Sequence, residues 1–135
     1  MVQIDFVYDG DLRCVTTHAP SHTELTTDAP VDNCGRGESF SPTDLVATAL
    51  GTCMLTTMGI FAQRNEIDLR GAKATVRKEM TSSGPRKIAR LTCELHLPVP
   101  ISHPQREALE RAALTCPVAT SLHPDVAMPV TFAWQ

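Results

Sequence analysis

Residues 45–63, LVATALGTCMLTTMGIFAQ, contain no charged side chain. Ahead of them, Ser41 can cap a helix, Pro42 suits its first position, and Asp44 stands three residues beyond Ser41 in a capping-box pattern. Leu45, Val46, Ala49, Leu50, Cys53, Met54, Thr57, Met58 and Phe61 then recur at spacings of three and four, giving one wide apolar face over about five turns. Ala47, Thr48, Gly51, Thr52 and Gly59 keep the rest of the surface small and uncharged. This pattern predicts a helix buried nearly all round that ends near Arg64.

The flanking segments read as strands and one further helix. MVQIDFVY (1–8) alternates apolar and polar residues, Asp9-Gly10-Asp11 signals a tight turn, and LRCVTTH follows as the hairpin partner. HTELTTD (22–28) suits a further short strand, and APVDNCGRGESFS (29–41) has the composition of a loop. GAKATVRKEMTSS and RKIARLTCELHLP, joined through Gly84-Pro85, form a two-stranded unit whose alternation slips near Ala89. A second helix is expected from Ser102-His103-Pro104, and VAMPVTFAW (126–134) is expected as a last strand. The order implies an α+β fold with few helices against a mostly antiparallel sheet, forming one domain over residues 1–135.

Composition excludes several classes of function. A net charge of −3 offers no electrostatic footprint for nucleic acid. No uninterrupted run of 18 apolar residues and no signal-type pattern in residues 1–25 is present, so no membrane partner and a cytoplasmic location are expected. No Walker, GxGxxG or GxSxG pattern occurs, which leaves nucleotide binding and serine hydrolysis without support. His18 and His22 cannot share a helix face because Pro20 lies between them, and His96, His103 and His123 are scattered. Neither a metal nor a cofactor is expected.

The chemistry rests on the cysteines, of which there are five: Cys14, Cys34, Cys53, Cys93 and Cys116. Their odd number, wide spacing and lack of a CxxC argue against a disulfide scaffold. Cys14 and Cys93 fall in strand patterns as packing residues, and Cys34 lies in the exposed loop. In TCPVATSL, Pro117 suits a first helical position and makes Cys116 the N-cap, a setting that favours a thiolate. Cys53 lies mid-helix, beyond the reach of the dipole, and on its local sequence reads first as a buried, inert core residue. To react it would need a cation or donor from elsewhere in the fold, for which Arg13 and Arg36 are the candidates.

SPTDLVATALGTCMLTTM (41–58) and LTCPVATSLHPDVAMPVTFAW (114–134), in that order, resemble the OsmC/Ohr family of osmotically inducible and organic hydroperoxide resistance proteins. The resemblance implies an intertwined homodimer, with antiparallel sheets wrapped around long central helices and active sites at the dimer interface. It implies that Cys53 is the peroxidatic thiolate and that Cys116 forms the resolving disulfide. An Arg near the first hairpin and a Glu near the start of the central helix would activate Cys53. The implied reaction is thiol-dependent reduction of an organic hydroperoxide, with a dithiol of lipoyl type as reductant. In the peroxidases, that Glu follows the Pro of an NPEQL segment. Here the position holds Thr43, with Asp44 next and Glu38 upstream. The expected site is therefore Cys53, Cys116, Arg13 and Glu38, with Arg36 and Asp44 as alternative activators in an OsmC-like branch. The competing reading is a non-catalytic dimer of the same fold that binds an apolar small molecule, or senses redox state, at the same interface.

Overall fold

A computed structural model describes residues 1–135. The chain forms two compact units, 1–46 and 47–135. The first holds a three-stranded antiparallel sheet in the order β1 (Ile4–Gly10), β2 (Arg13–His18), β3 (Thr23–Asp28). The β1–β2 turn passes through Gly10, Asp11 and Leu12, all at positive φ. β2 and β3 run in register from Arg13 opposite Asp28 to His18 opposite Thr23. A loop with one 3₁₀ turn at Val31–Asn33 then leads to α1 (Pro42–Arg64), which continues into the second unit.

The start of α1 has the expected cap. The Asp44 amide donates to Ser41 Oγ at 3.1 Å, and the Ser41 amide donates to Asp44 Oδ2 at 2.9 Å, satisfying two amides reciprocally. Asp44 is thereby committed to the backbone.

In the second unit, β4 (Lys73–Met80) pairs antiparallel with β5 (Ile88–Leu97), and the expected slip near Ala89 is a register shift after Glu79. α2 (Arg106–Leu114) begins four residues later than expected, because 100–105 turns first, with the His103 amide bonded to the Pro100 carbonyl. α3 (Pro117–Ser121) follows. β6 (Val130–Trp134) pairs with β5 in parallel, the one parallel pairing in an otherwise antiparallel set, so the mostly antiparallel expectation holds. The α2–α3 crossover brings the chain back in the same direction, as parallel pairing requires. β6 is shorter than the expected strand because Pro129 has no amide for a ladder, although the carbonyls of Ala127 and Pro129 still accept from Leu91 and Cys93.

Leu91, Cys93, Leu95 and Leu97 alternate inward along β5 and form the centre of the core with Leu50, Met54 and Met58 of α1 and Leu109 and Ala113 of α2. Gly51 allows the close approach: a Cβ there would lie 3.0 Å from Val76 Cγ2 on β4. The helix is not buried all round. Its buried residues are Ala47, Leu50, Gly51, Met54, Met58 and Ala62, while its most apolar 18-residue window has a mean hydropathy of 1.7 but is only 33% buried. That length and composition would serve a membrane span as well as a helix covered by protein. Ile60 on α1 and Ile4, Phe6, Val7 and Tyr8 on β1 also stand exposed. These uncovered apolar faces exceed what isolated surface residues account for.

Candidate active site

Two clusters of chemically competent side chains form, one in each unit. In the second unit, α1 presents Cys53 in its middle and the α2–α3 junction presents Cys116. Both thiols are free, and Cys53 lies near enough to Cys116 to influence its ionisation. Thr57, one turn beyond Cys53, fixes their supporting helices. Its hydroxyl lies 2.9 Å from the Ala112 carbonyl and 3.0 Å from those of Cys53 and Met54. Ala112 is in the last turn of α2, where carbonyls lack intrahelical partners. The amide that would have reached it, from Cys116, bonds to Ala113 instead. Thr57 therefore caps α2 from α1, a role that the sequence spacing, which assigned it to the apolar face, did not reveal.

Cys116 is the expected N-cap, and its Sγ accepts from the Ala119 amide at 3.4 Å. The expected thiolate does not follow. Burial, at 0% exposure, raises its pKa, and the neighbouring Cys53 raises it further; the Ala119 amide contact opposes both without reversing them. A three-turn or longer helix behind that cap would oppose burial more strongly, but α3 has five residues. Cys116 therefore rests as a protonated thiol.

Cys93 is a third thiol in this neighbourhood. It is 1% exposed, contacts the Leu91 carbonyl at 3.6 Å, and has its pKa pushed up to about 11, first by burial and then by the nearby Cys116. The strand alternation identified it as packing, but gave no sign that it would lie near Cys116. Cys14 sits half-buried in β2, opposite Tyr8 and Thr27, and Cys34 is exposed after the 3₁₀ turn, as expected.

In the first unit, Arg13 opens β2 and donates from Nη1 to Glu38 Oε2 at 3.1 Å, with the two side chains 30% and 54% exposed. An ion pair this open contributes on the order of 0–1 kcal/mol to stability. Its geometry therefore depends on the backbone around it. The four candidates thus form two pairs, Cys53 with Cys116 and Arg13 with Glu38. Arg36 is exposed in the loop, and Asp44 serves the α1 cap.

The histidines make local turn contacts: His18 with Ser21, His103 with the Gln105 amide, and His123 with the Asp125 amide. No group of three or more His, Cys, Asp or Glu side chains is placed to hold a metal ion.

A family model described as OsmC-like protein matches residues 35–130. The structure is similar to one from Psychrobacter arcticus 273-4, provisionally described as an osmotic stress induced and detoxification response protein. That match has a TM-score of 0.91 at 43% identity and covers 98% of this chain and 96% of that one. An OsmC-like protein from Mycoplasma pneumoniae matches with a TM-score of 0.82 at 16% identity, covering 99% and 96%. An organic hydroperoxide resistance protein OsmC from Legionella pneumophila matches with a TM-score of 0.75 at 14% identity, covering 98% and 96%. None of the curated proteins matches the sequence.

Two outcomes test this geometry. Thr57→Val leaves the Ala112 carbonyl unpaired and is expected to lower stability by about 1–2 kcal/mol in urea unfolding, whereas an unchanged midpoint would mean that this carbonyl has another partner. Cys93 concerns alkaline pH. Its folded pKa of about 11 exceeds the ordinary thiol value of 9.0, so between them the unfolded chain has lost a proton that the folded chain keeps. Its stabilising contribution is full below pH 9 and is lost as pH rises through 11. Urea midpoints should therefore fall across that window, and Cys93→Ala should fall less steeply than wild type. An equal slope would contradict the burial of that thiol.

Proposed function

The chain belongs to the OsmC-like family, and from this we propose that it reduces organic hydroperoxides through Cys53 and Cys116, with Arg13 and Glu38 activating Cys53. One observation carries the reading: two free thiols from distant parts of the chain lie near enough for one to influence the ionisation of the other. Disulfide bonding requires sulfurs about 2 Å apart, so it is open only to thiols that the fold brings together as neighbours.

The chemistry proceeds in balanced steps. The Cys53 thiolate attacks the terminal oxygen of ROOH and the O–O bond breaks. Cys53 is oxidised to a sulfenic acid, and the alkoxide takes up a proton and leaves as ROH. The Cys116 sulfur then attacks the Cys53 sulfur. The sulfenic hydroxyl leaves with the Cys116 proton as water, and a disulfide forms. An external dithiol, of lipoyl type or similar, reduces that disulfide and is itself oxidised to its cyclic disulfide.

The acid–base states suit these roles. Cys116 rests protonated, and as it gives its proton to the departing hydroxyl its sulfur gains the high intrinsic nucleophilicity of a thiolate whose thiol has a raised pKa. Arg13 is permanently charged and suited to stabilise a thiolate, and Glu38 orients its guanidinium. The Legionella protein of this fold is an organic hydroperoxide resistance protein, which supports the substrate class.

A second copy of the chain is the proposed cover for the exposed faces of α1 and β1. Burying Ile60, Ile4, Phe6, Val7 and Tyr8 in a homodimer would remove the apolar surface that one chain leaves in water.

The test is turnover of cumene hydroperoxide with dithiothreitol as reductant. Cys53→Ser is expected to abolish it. Without dithiothreitol, Cys116→Ser is expected to consume one equivalent of hydroperoxide rapidly and hold Cys53 as a sulfenic acid that a dimedone probe labels. Equal turnover by wild type and Cys53→Ser would refute the proposal. A disulfide that forms in wild type without turnover would favour redox sensing instead.

A further inference from the structure

Resting on the reading of Arg13–Glu38 as the activating pair, we infer that Asp28 is the positioning residue that holds Glu38 against Arg13. Arg13 and Asp28 stand directly opposite each other on β2 and β3. Asp28 is 1% exposed, and its Oδ2 accepts the Glu38 amide at 3.0 Å. Its own amide donates to the Phe40 carbonyl at 3.1 Å. The next residue extends the clamp in both directions: the Ala29 amide donates to the Leu12 carbonyl at 3.2 Å, and the Ala29 carbonyl accepts from Gly37 at 3.3 Å. Residues 28–29 thus bind the residue before Arg13, the residue before Glu38, Glu38 itself and Phe40.

Two further features show how closely the loop is fitted to this clamp. Gly35 crosses the Ala29 carbonyl so closely that a Cβ would fall 1.7 Å from its oxygen, which no other residue could tolerate. On the other side, Leu12 holds a left-handed backbone at φ 62°, a conformation that a Leu adopts only where its surroundings fix it. Its bond to Ala29 is one such constraint.

Asp28 Oδ1 is buried and has no hydrogen-bond partner. A buried carboxylate oxygen without a donor works against folding, so stability alone does not account for this residue. Its Oδ2 does what the solvent-exposed ion pair cannot do for itself, which is to set where Glu38 stands.

The test compares Asp28→Ala, Asp28→Asn, Glu38→Ala and the Asp28→Ala/Glu38→Ala double variant. Each is measured for kcat and KM with cumene hydroperoxide and dithiothreitol, and for exchange of the Glu38 amide by NMR. Loss of the acceptor in Asp28→Ala is expected to lower kcat by about 10- to 100-fold with little change in KM. Asp28→Asn keeps an acceptor oxygen and should restore most of that loss. The double variant should be no slower than Glu38→Ala, because Asp28 acts through Glu38.

Wild-type kcat in folded Asp28→Ala would overturn the inference, as would Asp28→Asn impaired as severely as Asp28→Ala, or independent losses that multiply in the double variant. If Asp28→Ala does not fold, Asp28→Asn and the wild-type amide decide, and a Glu38 amide exchanging as fast as an open one overturns the inference. If wild type turns over no hydroperoxide, the functional reading fails. Protection of the Glu38 amide in wild type and its loss in Asp28→Ala would then still support the clamp, and unprotected exchange in wild type would refute it.

Discussion

The uncharged run at residues 45–63 depends on the removal of apolar surface from water along the one face of its helix that carries Ala47, Leu50, Met54, Met58 and Ala62. Within the second unit Leu50, Met54 and Met58 of that surface are buried, as are Leu91 and Leu95 of β5 and Leu109 of α2. Each such side chain contributes on the order of 1.5–3 kcal/mol on full burial, which outweighs any single polar contact in the unit. The helix therefore sets the frame, and Cys53 inherits a fixed position from packing rather than from bonds of its own. Gly51 and Thr57 refine that position, the first by admitting Val76 closely and the second by bonding the end of α2.

Within this frame the two thiols differ because their surroundings differ. A helix N-cap and burial act in opposite directions on a cysteine, and at Cys116 burial wins because α3 is short and the sulfur is sealed from solvent. Cys93 shows the same desolvation without a cap, and its pKa rises to about 11. Protonated, buried thiols next to a less buried one suit a division of labour in which one cysteine meets the oxidant and another stays in reserve.

Much of the fold could be read from the sequence where local chemistry and periodicity agree. Ser41, Pro42 and Asp44 marked the start of α1 because a capping box is a local device, and the slip at Ala89 showed in the alternation of β5. The parallel β5–β6 pairing could not be read in that way, since it depends on the path of the crossover. The buried face of α1 also differed from the periodic one, because Ala47, Gly51 and Ala62 were chosen by closeness of approach rather than by hydrophobicity. For the site, the pairing of Cys53 with Cys116 came through family resemblance. The bond from Thr57 to α2, the nearness of Cys93 to Cys116 and the role of Asp28 could not be read, because they arise from contacts between residues far apart in sequence. Arg13 and Glu38 were named without any local rule to join them, and their ion pair depends on how the 29–41 loop folds back on β3.

On the proposed function, the neighbouring Cys53 and Cys116 thiols become a disulfide in the course of reducing a hydroperoxide. The most direct measurement is peptide mapping of reduced protein after one equivalent of cumene hydroperoxide, with the alcohol product quantified in the same sample. The account predicts one Cys53–Cys116 disulfide and one alcohol per hydroperoxide consumed, with Cys14, Cys34 and Cys93 still reduced. Alcohol formed without that disulfide, or a disulfide joining a different pair, would contradict it.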